Sequence, residues 1–397
     1  MFIRDCAFAT RMKTDTTGTL RIMAVTDPGC EEACAAEMTR ILSRDATAVV
    51  RRQQIVETVG TWMDAATLAY RTQTALRVLV AIAPTAPDLG ALVTTAPDRT
   101  VLDAALAPGG TFKAECEHFD PSLLPQELTE GIGEWVHDAG YPVNLSRPDL
   151  VVVAVATPGG IDVGIDMVGA ALAKRDWRVM LSSRSIKATI AASAAIYTQL
   201  EERHQVLDPF GDDGSLAIEA TMLLSGASPR KLGRVFACAR FPAIDARAWQ
   251  QRKEQIDARV RDETGVIVFS DTLRDMKAVR TNAKLAGVDK MMRSTRVSVD
   301  WVEAKIEEGS IDRILTAPIT SGKVIGPDRV AKLADQLFWQ ATFVLKKNGT
   351  MTCLTEKPEE LVAAAAEHGF TLRERRDVRM GQRALVVVTY ARAKGKG

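Results

Sequence analysis

The sequence contains no cysteine–histidine pattern of a metal site and no long apolar run. None of its six cysteines forms a Cys-x-x-Cys pair, and its four histidines are scattered. This spacing argues against a zinc site, and a membrane span would need a run of about 18 apolar residues. The cysteines are better explained as small buried hydrophobic residues in a reducing, cytosolic compartment.

The chain as a whole also has almost no net charge, at +1 over 397 residues, so composition alone gives no case for nucleic-acid binding. The charge is unevenly distributed, however. Residues 1–175 carry 15 Lys and Arg against 22 Asp and Glu, whereas residues 176–397 carry 36 against 28. An acidic N-terminal part therefore precedes a basic C-terminal part.

The N-terminal part alternates between strand and helix patterns. We expect residues 1–17 to be an extension, more simply a frayed end than a targeting segment. The alternation over residues 18–84 favours a small ferredoxin-like sandwich. Residues 85–173 predict a second α+β unit, with an amphipathic helix over 125–138 and a hairpin around Pro158-Gly159-Gly160.

Residues 189–397 are predicted to form a doubly wound α/β domain, reached through a linker over 174–188. Strand patterns alternate with helix patterns throughout this part of the chain. The predicted strands are 206–207, 266–269, 313–315, 350–354 and 384–390, and the predicted helices are 189–201, 216–224, 276–285 and 329–345. Asn348-Gly349 is expected to separate the last helix from the strand that follows it.

The most informative segment lies between the first strand and the first helix of this domain. Val206-Leu207 leads into Asp208-Pro209-Phe210, a short acidic turn follows, and the helix contains Ile218-Glu219-Ala220. In a strand–turn–helix unit of this kind, the backbone N–H groups of the turn are expected to face a ligand. The segment resembles the S-adenosylmethionine-binding loop of RNA methyltransferases.

Four further segments strengthen this resemblance by their order and spacing. They are Thr26–Glu32, Thr111–Ala114, Val143–Asp149, and Asp166–Gly169 with Lys174–Arg178. Over residues 18–395 the chain is similar to the THUMP-domain-containing class I RNA methyltransferases. The resemblance implies an α/β protein whose C-terminal Rossmann-like class I methyltransferase domain follows an α+β ferredoxin-like and THUMP-like region. It also implies S-adenosylmethionine as cofactor and a guanine N2 amine of tRNA or rRNA as target.

The resemblance also assigns cofactor-binding residues. The implied set is Asp208, Phe210, Gly211 and Gly214 in the loop, Asp271 at the ribose hydroxyls and Asp300 at the adenine amine. A carboxylate suits the ribose because it can accept hydrogen bonds from both hydroxyls. The alternative for the last two residues is a solvated acid at the end of a strand.

One loop residue departs from the family pattern, because Asp212 stands where the family has glycine. It adds bulk and a negative charge near the expected position of the cofactor's carboxylate. Two like charges a few ångströms apart repel by about 1–4 kcal/mol near a protein surface. We therefore expect weakened or lost cofactor binding.

The catalytic motif departs further. Related amine methyltransferases carry Asn/Asp-Pro-Pro-aromatic after the fourth strand, where the first side chain holds the target amine and the ring stacks on the base. Here Ala317, Pro318 and Thr320 occupy that position. Losing the stacking ring costs about 1–3 kcal/mol per base, and losing the amide removes the group that positions the amine. The rate should fall by orders of magnitude.

The charge pattern bears on RNA binding. Residues 85–175 carry 5 Lys and Arg against 13 Asp and Glu, so this unit is expected to repel RNA. Lys174, Arg175 and Arg178 are the better RNA-binding candidates because they lie at the junction with the cofactor domain. The arginines between 373 and 383 fit a solvated sheet edge better than a phosphate-binding track.

Two functions follow. The first is a S-adenosylmethionine-dependent RNA methyltransferase, with tRNA or rRNA as partner. The second is a degenerate relative without methyl transfer, which serves as a binding or assembly subunit and has a protein partner. Methylation of a protein or small molecule is a weaker third hypothesis. Phe241–Asp245 and Trp249 resemble a family segment that packs between the loop helix and the second strand.

Overall fold

Two seven-stranded β-sheets form the frame of this computed structural model, which describes residues 19–120, 122–230 and 236–393. The predicted extension over 1–17 lies outside the described residues. The N-terminal sheet has the order β2-β3-β1-β4-β7-β6-β5, and the C-terminal sheet has the order β10-β9-β8-β11-β12-β14-β13.

The N-terminal sheet is covered by short helices that bury alanine, leucine and methionine side chains against it. Its strands are β1 (Leu20–Thr26), β2 (Val50–Arg52), β3 (Ile55–Gly60), β4 (Ala75–Ala81), β5 (Phe112–His118), β6 (Leu150–Thr157) and β7 (Gly160–Asp166). Its helices are α1 (Glu31–Leu42), α2 (Trp62–Arg71), α3 (Leu89–Val93), α4 (Arg99–Ala105) and α5 (Pro125–Asp138).

This sheet is continuous across the predicted boundary between residues 84 and 85. β4 pairs antiparallel with β7, with Leu79 opposite Asp166 and Val80 opposite Ile165. The strands of the two predicted α+β units therefore share one hydrogen-bonded sheet. The boundary separates segments of sequence but does not separate two cores.

The C-terminal sheet has helices on both faces. Its strands are β8 (Val206–Asp208), β9 (Val266–Ser270), β10 (Arg293–Arg296), β11 (Ile311–Thr316), β12 (Leu345–Thr355), β13 (Phe370–Met380) and β14 (Arg383–Arg392). Its helices are α6 (Ala188–Tyr197), α7 (Ser215–Ser225), α9 (Leu273–Ala286), α10 (Pro327–Val344) and α11 (Val362–Glu367), whereas α8 (Ala246–Asp257), which precedes β9 in the chain, packs against α2 of the N-terminal part.

Strand direction in this sheet confirms the predicted Rossmann-like class I methyltransferase fold. β8 is parallel to β9 and β11, β10 is parallel to β9, and β12 is parallel to β11. β14 and β13 then add antiparallel pairs. Because the five parallel strands end at the same edge, the loops after β8, β9, β10 and β11 meet there.

Two local predictions are wrong. Asn348-Gly349 does not precede the strand but lies inside β12, where the pairing with β11 shifts register. The Phe241–Asp245 segment and Trp249 do not pack between the loop helix and the second strand. They join the core of the N-terminal part, where the Trp249 and Tyr70 rings meet edge to face with centroids 5.8 Å apart.

Polar groups also connect the two sheets. Arg175 Nε donates to Glu219 Oε1 at 2.9 Å, and the Gln73 side-chain amide donates to the other oxygen of the same carboxylate at 2.6 Å. Lys187 and Thr189 both donate to the Asp27 carboxylate. Among the described residues, no helix is long and apolar enough to cross a membrane.

Candidate functional site

The loop after β8 requires glycine at two positions. Gly211 has a φ of +60°, and a Cβ there would lie 2.5 Å from the carbonyl oxygen of Phe269 in β9. Gly214 has a φ of +83° directly before α7. Backbone this close to a neighbouring strand, with left-handed dihedral angles, is accessible to glycine and strained for other residues. The loop therefore keeps the backbone form expected from the sequence.

Asp208 organises this loop from inside the protein. Its Oδ1 accepts hydrogen bonds from the backbone N–H groups of Phe210 and Gly211, each at 3.2 Å, and from Thr316 Oγ1 at 2.7 Å. Burial raises the pKa of Asp208 to about 6. Among the described residues, no hydrogen bond reaches its Oδ2. Asp208 thus joins β8 to the end of β11 and keeps one carboxylate oxygen available.

Several backbone N–H groups of the turn, which were predicted to face a ligand, form hydrogen bonds within the turn instead. Asp212 N–H donates to the Phe210 carbonyl at 2.6 Å, and Gly214 N–H donates to the Gly211 carbonyl at 2.8 Å. Ser215 N–H donates to the Asp213 carboxylate at 2.9 Å. For these residues, the expectation that the turn's N–H groups face a ligand is wrong, because the turn satisfies them internally.

Asp212 is partnered by the linker that precedes α6. Its φ is 48°, a left-handed value that aspartate tolerates better than most residues. Ser182 Oγ donates to its Oδ1 at 2.7 Å, and Arg184 forms an ion pair with it at 3.1 Å. Burial raises the pKa of Asp212, and the Arg184 guanidinium opposes that rise. The extra negative charge is thus partly compensated by two residues that the sequence did not single out.

Three of the predicted cofactor and catalytic residues, Asp208, Gly211 and Ala317, line one small cleft. Ile186 of the linker, residues of the Asp208–Asp213 loop and the start of α7 complete its lining, and its volume is about 10 Å³. That volume holds about one water molecule. The structure therefore places Ala317 beside the loop, with the linker covering the remaining side.

The two acids predicted at the adenosine end lie on the same sheet edge and are exposed. Asp271 follows β9, and its backbone carbonyl accepts from Arg296 Nε at 3.0 Å. No hydrogen bond or ion pair engages its carboxylate within the described residues. Asp300 lies after β10 and accepts a long hydrogen bond from Ser298 Oγ at 3.4 Å. Its neighbour Trp301 is 65% exposed, which the sequence analysis did not single out.

The loop after β11 is held by residues that follow β12. Lys357 Nζ donates to the Ser321 carbonyl at 3.0 Å, and Ser321 N–H donates to the Glu360 carboxylate at 3.1 Å. Pro318 is buried, and Thr320 is half-buried. The sequence did contain a signal for Lys357 and Glu360, because the end of a strand parallel to β11 must meet the same edge.

The three residues predicted to bind RNA have different environments. Arg175 is a correction: its side chain is 1% exposed, pairs with the fully buried Glu219 and donates to two backbone carbonyls, so it cannot reach RNA. Arg178 is half-buried and donates to Ser215 Oγ at 3.2 Å, which supports the start of α7. Lys174 is exposed.

The acidic surface of the N-terminal part is less repulsive than its composition suggests. Arg77 of β4 pairs with Glu115 at 2.9 Å, with Glu117 at 2.8 Å and with Asp166 at 2.7 Å. These acids belong to residues 85–173, whereas the arginine belongs to residues 18–84. Counting charge in the second segment alone overstates the negative field that RNA would meet.

Metal-binding geometry is not found in the part of the chain that the structure describes, where no three His, Cys, Asp or Glu side chains cluster. The described cysteines other than Cys116 are buried. Burial raises the pKa of Cys34 to about 12, which makes it a packed, unreactive thiol.

Comparison with known families gives one match, over just over half of the chain. Residues 175–385 match the family described as UPF0020, RMKL-like, methyltransferase domain. The matched range includes the linker, the Asp208 loop, both exposed acids and the loop after β11.

Individual proteins are similar at low identity. A "Ribosomal RNA large subunit methyltransferase K/L" of Vibrio parahaemolyticus is 22% identical over 174 residues, which are 42% of this chain and 25% of that protein. The chain therefore matches only about a quarter of that relative's length.

Solved structures show the fold over nearly the whole chain. SMU.472, described as "a putative methyltransferase complexed with SAH" (S-adenosylhomocysteine), is 17% identical with a TM-score of 0.75, over 96% of this chain and 100% of that one. A possible methylase from Clostridium difficile 630 is 19% identical with a TM-score of 0.76, over 96% and 100%.

Proposed function

The chain belongs to the RMKL-like methyltransferase-domain family, and from this premise we propose that it binds S-adenosylmethionine and transfers its methyl group to RNA. The observation that carries the proposal is the loop after β8. Gly211 has no room for a side chain against Phe269, and the loop is fastened by Asp208 to the end of β11. This is the backbone that the cofactor end of such a domain needs.

The residues present fit the cofactor. Asp208 lines the cavity, and its carboxylate suits the ammonium group of the methionine end, while Gly211 and Gly214 let the loop backbone lie against β9 and α9. Asp271 suits the ribose hydroxyls and Asp300 the adenine amine, since both carboxylates are exposed along the strand ends. SMU.472, which shares the fold, was crystallised with the demethylated cofactor.

The linker limits access to this cavity. The space of about 10 Å³ is too small for a methionine group, so Ile186 of the linker, which lines it, must shift when the cofactor enters. Adenosine would lie outside this space, along Asp271 and Asp300. The bound cofactor supplies an already activated methyl group, and the protein's contribution is positioning.

For the target we propose a guanine N2 amine in tRNA or rRNA. The relative from Vibrio is named for ribosomal RNA, which supports RNA as the substrate class. Although Ala317 lacks a side-chain acceptor, its backbone carbonyl can still accept a hydrogen bond from an amine beside the loop. Exposed Lys174 is the remaining RNA-binding candidate at the junction, and Arg178 acts by holding the start of α7.

Calorimetric titration with S-adenosylmethionine and SAH tests the cofactor step. We expect micromolar binding by the wild-type protein and binding at least tenfold weaker in Asp271→Ala, because two charge-assisted hydrogen bonds are lost. Asp262→Ala is the matched control, since Asp262 is also exposed and lies away from the strand ends. Equal affinities for the two variants would remove Asp271 from the site.

Transfer of a labelled methyl group to bulk tRNA and rRNA tests the reaction. Label should enter RNA with the wild-type protein and not with Asp271→Ala. Digestion of the labelled RNA to nucleosides would identify the modified base. Label on another base would overturn the guanine assignment but leave the methyltransferase proposal standing.

A second candidate is a non-catalytic binding subunit that keeps the fold. Ala317 and Thr320 favour it, because neither can replace the amide and the stacking ring of the family motif. Cofactor binding without labelled RNA, together with co-purification of a stable protein partner, would support this candidate over the enzyme.

A further inference from the structure

A cleft of about 590 Å³ lies at the far end of α7 from the Asp208 loop. It is lined by the C-terminal ends of α6 and α7, the end of α8 and one face of α1. Since α7 has 11 residues, its two ends are about 16 Å apart. The cleft is thus separate from the proposed methyl-transfer site, and neither the family resemblance nor the proposed function accounts for it.

Positive charge dominates the lining of this cleft. Five arginines line it against three glutamates. Two of the lining glutamates are already used: Glu37 accepts from Thr72 Oγ1 at 2.7 Å and from nearby backbone amides, and Glu202 pairs with Arg261. The remaining arginines are Arg40, Arg71, Arg252 and Arg259.

These four arginines have no carboxylate within ion-pair distance among the described residues. Arg40 donates only a long hydrogen bond, at 3.4 Å, to the Leu223 carbonyl. Arg71 is half-buried, and burial and the nearby charge of Arg40 lower its pKa. The Glu37 carboxylate opposes this shift, and the charge of Arg259 adds to it. Holding like charges together in a partly desolvated cleft costs free energy, and a bound anion would recover it.

We propose that this cleft is a binding site for a small phosphorylated molecule of the nucleotide class. Arg40, Arg71 and Arg259 hold the phosphates, since the guanidinium fork matches phosphate oxygens. Ile196, Leu200 and Leu223 supply apolar surface for a base or sugar. The volume lies within the range of about 300–1,000 Å³ that is usual for small-molecule sites.

A small ligand fits these observations better than an RNA strand. RNA tracks are extended grooves that combine basic residues with aromatic rings for stacking. Here the arginines surround one concave site, and the lining contains no aromatic side chain among the described residues. RNA binding at this site is therefore treated as an outcome that would contradict the proposal.

Calorimetric titration of the full chain with ATP, GTP and inorganic pyrophosphate tests the site. We expect at least one of the three to bind, and its affinity to fall roughly 10- to 100-fold in Arg71→Gln and in Arg259→Gln. Arg375→Gln is the matched control, because Arg375 is an exposed arginine on β13 that is paired with Asp377. The Arg375→Gln variant should bind the three probes with the same affinity as the wild-type protein.

Two control measurements distinguish an effect on this cleft from an effect on folding or on the proposed methyl-transfer site. Circular dichroism should show the same fold in all variants, since neither Arg71 nor Arg259 has a partner to lose among the described residues. The SAH affinity should also be the same in all of them, whatever its value. Thus a failure of the methyltransferase proposal and a failure of this one give different results.

The proposal is overturned if none of the three probes binds at millimolar concentration. It is also overturned if the folded Arg71→Gln and Arg259→Gln variants bind as tightly as wild type. Direct binding of single-stranded RNA that is weakened in Arg71→Gln and Arg259→Gln, without binding of any small probe, would assign the cleft to RNA instead.

Discussion

Acidic residues of the two sheets occur in contrasting environments. In the N-terminal sheet, Asp162 and Asp166 are fully buried, and they pair with Arg21 at 2.6 Å and with Arg77 at 2.7 Å. In the C-terminal sheet, Asp271 is exposed at a strand end, and no residue that the structure describes pairs with its carboxylate. The buried aspartates form ion pairs that connect strands, whereas the unpaired carboxylate of Asp271 remains available to a ligand.

This difference shows why a charge count by segment misleads. The acids of residues 85–173 that face Arg77 belong to a network shared with the first four strands. A surface is repulsive only through charges that remain unpaired there. By the same criterion, four arginines of the cleft at the end of α7 are available to a ligand, because no carboxylate of the described residues pairs with them.

The largest expected effect comes from breaking the buried pair between the two sheets. Arg175→Met leaves the fully buried Glu219 carboxylate without its arginine, and removing one partner of a buried pair typically destabilises by about 3–5 kcal/mol. Urea denaturation measures the change in the free energy of unfolding. If Arg175 instead served RNA, stability would be unchanged and only RNA affinity would fall.

Asp208 predicts how cofactor binding depends on pH. If its ionised carboxylate meets the ammonium group, affinity should be full well above the pKa of about 6 and fall about tenfold per pH unit below it. SAH titrations at several pH values measure this. Asp208→Asn should bind weakly and lose the pH dependence, and an unchanged profile in this variant would exclude the role.

The same residue acts on stability in the opposite direction. Because burial raises its pKa from 3.8 to about 6, folding favours the protonated form. That contribution is complete below about pH 3.8 and is lost as the pH rises through about 6. Asp208→Asn should therefore be less sensitive to pH in this window, as urea denaturation would show.

A smaller effect is expected from replacing Asp212, the loop residue that stands where the family has glycine. Asp212→Gly should strengthen SAH binding by a few fold, because it removes a negative charge and a non-glycine residue with a positive φ. Arg184→Gln should weaken binding in the wild type by unmasking Asp212, and should do much less in the Asp212→Gly background. Equal effects in both backgrounds would show that Arg184 acts independently of Asp212.

The smallest effect is expected from breaking an exposed ion pair, in contrast to the buried pair of Arg175 and Glu219. Arg375→Met breaks an exposed pair with Asp377, so the free energy of unfolding should change by less than about 1 kcal/mol. The same denaturation measurement checks it. A loss as large as that of Arg175→Met would contradict the distinction between paired interior charge and surface charge.

Much of the fold of the C-terminal domain could be predicted from local pattern. The strand ending at Asp208, the helix that follows it and the glycines of the loop are all sequence-local features, whereas Asp271 and Asp300 were assigned from the family resemblance. Local pattern failed at Asn348-Gly349, since tertiary pairing with β11 carries the strand through a turn signal. It also failed at Trp249, because nothing local shows which core an aromatic residue joins.

The sequence by itself therefore determined the order of the elements and the backbone requirements of the cofactor loop, because both depend on neighbouring residues and their periodicity. Only the tertiary structure decided which charges are paired. Arg175 meets Glu219, Arg184 meets Asp212, and Arg71 shares one cleft with Arg40 and Arg259, because helices and linkers distant in the chain pack against one another. Whether a charged residue supports the fold or remains available for a ligand is set by those contacts.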